Sequence, residues 1–167
     1  MNPAPTGRLI RTPEGRDLVI VRTFRAPIED VWASITESER TARWWGAWWG
    51  EAGPGRTIQY RMAFEAEGPP GRMRIEACEP PHHLAVRALN DFGDWRLEVH
   101  LSEKDGVTEL RFTQHLDADV NVGDVGPGWE YYLDSLVASR TDDPLPDFND
   151  YYPAQKAYYL ELTTEVS

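Results

Sequence analysis

Between Thr57 and Leu116 apolar and charged side chains alternate in five successive stretches, and that rhythm constrains the fold more than any other feature. Thr57–Phe64 sets Ile58, Tyr60, Met62 and Phe64 against Gln59 and Arg61. Arg72–Glu79 sets Met73, Ile75 and Ala77 against Arg72, Arg74 and Glu76, which leaves Cys78 on the polar face. Leu84–Leu89 gathers Leu84, Val86 and Ala88 on one side. Asp94–Leu101 opposes Trp95, Leu97, Val99 and Leu101 to Arg96, Glu98 and His100. Thr108–Leu116 opposes Leu110, Phe112 and Leu116 to Glu109, Arg111 and His115. Successive side chains of a strand point to opposite faces, so each stretch is a strand with one apolar side. The joints Gly68-Pro-Pro-Gly71, Glu79-Pro-Pro81, Asn90-Asp-Phe-Gly93 and Lys104-Asp-Gly106 are hairpin-like. Together they describe an antiparallel sheet covered on one face only.

The cover must come from outside this block. Upstream, Asp17–Phe24 reads as a strand, paired with Arg8–Thr12 across Pro13-Glu14-Gly15. Ala26-Pro27 opens a helix in which Ile28, Val31, Trp32 and Ile35 recur at spacings of three and four. Thr36-Glu-Ser-Glu39 has the pattern of a capping box, predicting a second short helix to about Trp44. Gly46, Gly50, Gly53, Pro54 and Gly55 end the pair. Downstream, Trp129, Tyr132, Leu133, Leu136 and Val137 predict an amphipathic helix over Pro127–Arg140. A Pro- and Asp-rich connection, Thr141–Asp150, leads to a short helix within Pro153–Leu162.

A chain of 167 residues with 41% apolar side chains has the size and composition of one globular domain. The formal net charge is −11, which argues against nucleic acid and against anionic membranes as partners. The charge is uneven: residues 1–116 carry 17 acidic and 15 basic side chains, whereas residues 117–167 carry 11 acidic ones with only Arg140 and Lys156. The single cysteine, Cys78, excludes an internal disulfide and any multi-cysteine zinc site. No stretch reads as a signal peptide or membrane span, so the expected location is cytoplasmic.

The order strand, two short helices, antiparallel strands and closing helix resembles the helix-grip arrangement of the START-like, or SRPBCC, superfamily. Phe24-Arg-Ala-Pro-Ile-Glu-Asp-Val-Trp32, Thr36-Glu37 and Ala42-Arg-Trp-Trp-Gly46 look like the opening of the activator of heat-shock protein 90 ATPase homologue family. Gly128-Trp129 with Leu133 and Leu136 resembles its closing helix. The likeness spans about Asp17 to Arg140. It implies an α+β fold in which a curved antiparallel sheet grips the C-terminal helix around an apolar cavity. Two departures stand out, the aromatic loop Trp44-Trp-Gly-Ala-Trp-Trp49 and the acidic extension 141–167, which follows a domain ending near residue 140. The extension's helix could pack on the domain or on a partner.

Catalytic signatures are missing. No Walker loop, Gly-x-Gly-x-x-Gly, Gly-x-Ser-x-Gly or His-Glu-x-x-His occurs. Adjacent His82 and His83 would point to opposite faces of a strand. His115, Asp117 and Asp119 share a face if their strand continues, but a solvated strand end is the commoner reading, and neither metal nor cofactor is expected. Cys78 reads as a small filler. The candidate cavity residues are Trp44, Trp45, Tyr60, Met62, Phe64, Met73, Trp95, Phe112, Trp129, Tyr132 and Leu133. Arg22 and Gln114 are the polar groups expected to point inward, to meet a ligand or to be satisfied internally. Free indole N–H groups would orient a ligand as well as pack. Three functions remain open: a binding module for a small apolar or aromatic molecule, a protein-partner or co-chaperone module (or homodimer) using the acidic surface, and a cyclase- or aromatase-type enzyme.

Overall fold

The computed structural model describes residues 3–62, 70–90, 93–117 and 120–166. Eight strands form one sheet, ordered β1-β2-β8-β7-β6-β5-β4-β3, with every neighbouring pair antiparallel. The strands are β1 (Arg8–Thr12), β2 (Gly15–Phe24), β3 (Gly46–Trp49), β4 (Thr57–Met62), β5 (Gly71–Glu79), β6 (His83–Asn90), β7 (Gly93–Lys104) and β8 (Val107–Leu116). Helices α1 (Ile28–Thr36) and α2 (Ser38–Thr41) follow β2, α3 (Val122–Ser139) crosses the concave face, and α4 (Lys156–Val166) closes the chain. This is the curved helix-grip sheet that the alternation and the element order predict.

Its core lies where β2, β7 and β8 meet α1 and α3. Leu18, Ile20, Val31, Leu110 and Leu136 are fully buried there. Each comes from the inward parity of a strand or the apolar stripe of a helix. α1 starts just after Pro27, and its Ile28 N–H donates to Glu103 Oε1 of β7 at 2.6 Å. A carboxylate at that end satisfies a free N–H and complements the helix dipole. At the other end of the grip, Arg140 donates to Asp30 at 2.6 Å and to Ser34 Oγ at 2.6 Å, tying the end of α3 to α1.

Four local expectations are corrected. The capping box does not form: Thr36 ends α1, its hydroxyl donates back to Trp32 O at 2.7 Å, and α2 is only Ser38–Thr41. The aromatic stretch 44–49 is not a loop throughout, because Gly46–Trp49 is an edge strand paired with β4. The closing helix starts five residues before Pro127, at Val122, with Asn121 Oδ1 accepting from Gly123 N. A proline inside a helix removes one ladder bond. Here it belongs to a glycine-rich notch: a Cβ on Gly126 would meet the Tyr159 ring at 2.6 Å, so its absence lets α4 lie close. Finally, Cys78 faces inward. The register shifts between Ile75 and Ala77, so Glu76 is an extra residue and the alternation changes parity beyond it.

Residues 141–167, set apart in sequence by charge, lie against the grip in part. Tyr151, Gln155 and Tyr159 are buried. Tyr158 donates to Gly7 O at 2.8 Å and Gln155 to Pro3 O at 3.0 Å.

Candidate functional site

Two apolar clusters cover the concave face. The larger spans α1, α3, α4 and strands β1, β2, β7 and β8; the smaller holds Ile58, Tyr60, Met73, Ile75 and Ala88 of strands β4 to β6. Trp45, Val86 and Trp95 touch both. Between the clusters lies a cavity of about 200 Å³. Ile35, Trp44, Leu97, Leu110, Phe112, Trp129, Leu133 and Leu136 border it from one side, Ile58, Met73 and Ile75 from the other. Its edge reaches the surface at Ala52, an exposed residue, and Gly53.

Three of the four tryptophans around it are held from behind. Trp44 Nε1 donates to Ser34 O at 2.9 Å and Trp48 Nε1 to Thr36 O at 2.9 Å. Trp129 Nε1 donates to Gln114 Oε1 at 2.7 Å, inside the core. These three indoles spend their N–H groups on the protein, so they present ring surface to the cavity rather than donors. Ser38 locks β3 to α2 by accepting from Trp48 N at 3.0 Å and donating to Trp48 O at 2.8 Å. Trp45 stacks on Tyr60 with centroids 5.0 Å apart.

Of the residues predicted from sequence, Trp44, Trp45, Met73, Phe112, Trp129 and Leu133 border the cavity. Tyr60 backs Trp45, while Trp95 and Tyr132 pack on Trp129 at centroid distances of 6.1 and 5.8 Å. Met62 packs beside the smaller cluster, and Phe64 lies outside the described residues. Gln114 points inward but serves Trp129. Arg22 also points inward, yet it meets α3 instead of the cavity: its guanidinium donates to Glu130 and to Asp134, both at 2.8 Å. Sequence reading did not place Trp48, Cys78, Leu84 or Val86 on the wall. Strand parity marks Leu84 and Val86, while the bulge hides Cys78. Burial pushes the Cys78 thiol up, away from thiolate chemistry.

A second, polar constellation sits on the neighbouring face of α3. Glu130 is wholly buried and accepts from Arg22, from Thr6 Oγ1 at 2.8 Å, from Gly7 N at 3.2 Å and from Tyr159 OH at 2.6 Å. Burial opposes its charge, but the hydrogen bonds from Tyr159, Arg22 and Thr6 outweigh that and hold the carboxyl below the usual range. Burial and the Glu130 charge raise the Tyr159 phenol in turn. Asp134 accepts from Tyr151 OH at 2.7 Å. Every ligand-capable group here is engaged within the fold. His115 is likewise occupied by Asp17 and Glu98, and Asp117 by Arg96; Asp119 lies outside the described residues.

The family model for the Activator of Hsp90 ATPase homolog 1-like protein matches residues 25–139. No curated protein matches the chain. Among solved structures, crystalline CalU16 from Micromonospora echinospora is similar at a TM-score of 0.76 and 24% identity, over 96% of this chain and 97% of that one. Its solution structure gives 0.78 and 23%, over 98% and 97%. EF2215 from Enterococcus faecalis, a conserved protein of unknown function, gives 0.73 and 20%, over 98% and 92%. At these identities the likeness is one of fold.

Proposed function

Because the chain belongs to the Activator of Hsp90 ATPase homolog 1-like family of SRPBCC proteins, we propose that it binds a small apolar or aromatic molecule beneath α3. The fold is consistent with a ligand-binding domain, and no helix among the described residues is long and apolar enough to cross a membrane. The observation that carries the reading is the cavity wall, built of aliphatic side chains and of four indoles, three of which (Trp44, Trp48 and Trp129) already spend their N–H groups within the protein. An apolar cavity of roughly 150 Å³ holds benzene. The volume here, about 200 Å³, therefore suits a substituted single ring or a small fused pair. A cyclase-type reaction would need an acid or base facing the ligand. Besides the tryptophans, the polar residues bordering the cavity are Thr36, Thr41, Cys78 and Glu98. The threonine hydroxyls donate to Trp32 O and Gly46 O, and His83 and His115 hold the Glu98 carboxylate on the sheet's outer face.

The test is a displacement screen with a hydrophobic fluorescent probe and one- and two-ring aromatic compounds, on the wild type and on Val86→Phe, which fills the cavity from β6. Competitive binding by the wild type and loss of it in a folded Val86→Phe are expected. A wild type that takes up no probe, or a filled variant that binds as well, would sink the proposal.

One observation favours a second reading, a docking surface for a protein partner. Leu145 and Phe148 are more than 40% exposed among Asp142, Asp143, Asp147 and Asp150. Deleting residues 141–167 would also remove the buried Tyr159, so surface substitutions are the cleaner probe. Pull-downs with Leu145→Ser/Phe148→Ser that recover the same proteins as the wild type would remove this surface from consideration.

A further inference from the structure

The outer face of the sheet, opposite the cavity, carries a row of imidazoles and carboxylates across five strands. His83 of β6 lies directly opposite His100 of β7 in the register, and their rings stack with centroids 4.3 Å apart and planes 13° apart. Glu98 precedes His100 by two residues and so shares its face. Its Oε1 lies 2.9 Å from His83 Nε2. One donor atom each from His83, Glu98 and His100 can be chosen so that all three lie within 4.8 Å of one another.

Both His83 and Glu98 are also held from their far sides. Glu79 Oε1 lies 2.9 Å from His83 Nδ1, where it can hold the ring's proton and leave Nε2 as the atom offered to a metal on the Glu98 side. A carboxylate on the far nitrogen is the usual means of fixing the tautomer of a metal-bound histidine. Glu98 is oriented from its other oxygen by His115, which Asp17 backs at 2.7 Å. A tetrahedral zinc ion spaces its nitrogen and oxygen donors by about 3.3 Å. The His83–Glu98 pair would open only slightly to admit one, and His100 would close by a side-chain rotation.

We propose that His83, Glu98 and His100 form a binding site for one zinc ion on the outer face of the sheet. Two imidazoles and one carboxylate are the donor set of open zinc sites, which leave a fourth position to water. A hard cation prefers an all-oxygen shell, so magnesium is the discriminating control.

The experiment titrates zinc chloride into the full chain, stripped with chelator, by calorimetry, and repeats it with magnesium. Cobalt(II) absorption then reports the coordination geometry. One equivalent of zinc and a tetrahedral cobalt spectrum are expected. His83→Gln and His100→Gln should each weaken zinc binding by about tenfold or more. His82→Gln, on the turn between β5 and β6, should bind as the wild type does. His100 is exposed, so its variant keeps the wild-type melting profile. No zinc uptake, uptake indifferent to His83 and His100, or magnesium bound as well as zinc would overturn the proposal.

Discussion

Helix α3 shows two unlike faces to the rest of the molecule. One carries Glu130 and Asp134, whose carboxylates are bonded to Arg22, Thr6, Tyr151 and Tyr159. The other carries Trp129, Leu133 and Leu136 and borders unfilled space. The contrast is mechanical. Apolar contact is non-directional, so a helix held by it alone would settle toward the sheet and consume the cavity. An empty cavity forgoes stability at roughly 24 cal/mol per Å³, on the order of 5 kcal/mol at the volume found here. Directional, fully satisfied bonds on the polar face hold the helix at its distance against that pull.

The comparison can be broken from its polar side first. Glu130→Ala leaves Arg22 with Asp134 as its remaining carboxylate and strips the buried Tyr159 hydroxyl and Gly7 N–H of their acceptor, and a loss of about 3–5 kcal/mol in urea unfolding is expected. The same residue fixes the response to acid. Its folded pKa is depressed, so its contribution is complete above the ordinary carboxylate range and is lost as pH falls through the lower, folded value. The stability gap between wild type and Glu130→Gln should therefore be widest near neutrality and shrink below about pH 4. A gap that stays constant down to acid unfolding would show that Glu130 acts by shape and not by charge.

Smaller effects probe the helix packing. In an ordinary helix Gly→Ala gains about 1 kcal/mol. Gly126→Ala should instead lose about 1–3 kcal/mol, because the new methyl meets the Tyr159 ring at 2.6 Å. A gain in thermal melting would mean that α4 can retreat. On the cavity side, Trp129→Phe leaves Gln114 Oε1 without its donor, and a cost of about 1–2 kcal/mol is expected in the same melts.

The strands were legible because their signal is local. The stretches expected at 72–79, 84–89, 94–101 and 108–116 reappear as β5 to β8 with ends displaced by at most three residues. The misreadings share a cause. Gly123, Gly126 and Pro127 break helices when judged by propensity, but here the two glycines let α4 approach closely, which sequence spacing does not show. Thr36 carries a capping pattern that loses to a back-bond inside α1. Part of the cavity wall was readable from inward parity and helical spacing, in Phe112, Trp129 and Leu133. What Arg22 would meet was not, because its partners lie 108 and 112 residues away on α3.

The extra residue at Glu76 has a consequence for how this chain can vary in length. Removing one residue from a regular strand exchanges inside for outside on one flank of the cut. Beyond the bulge, Ala77, Cys78 and Glu79 already face as Ala85, Leu84 and His83 require. Loss of Glu76 would therefore leave Cys78 in the cavity wall and Glu79 beside His83. β5 thus contains a position where the gene can lose a codon and both faces of the sheet keep their present occupants.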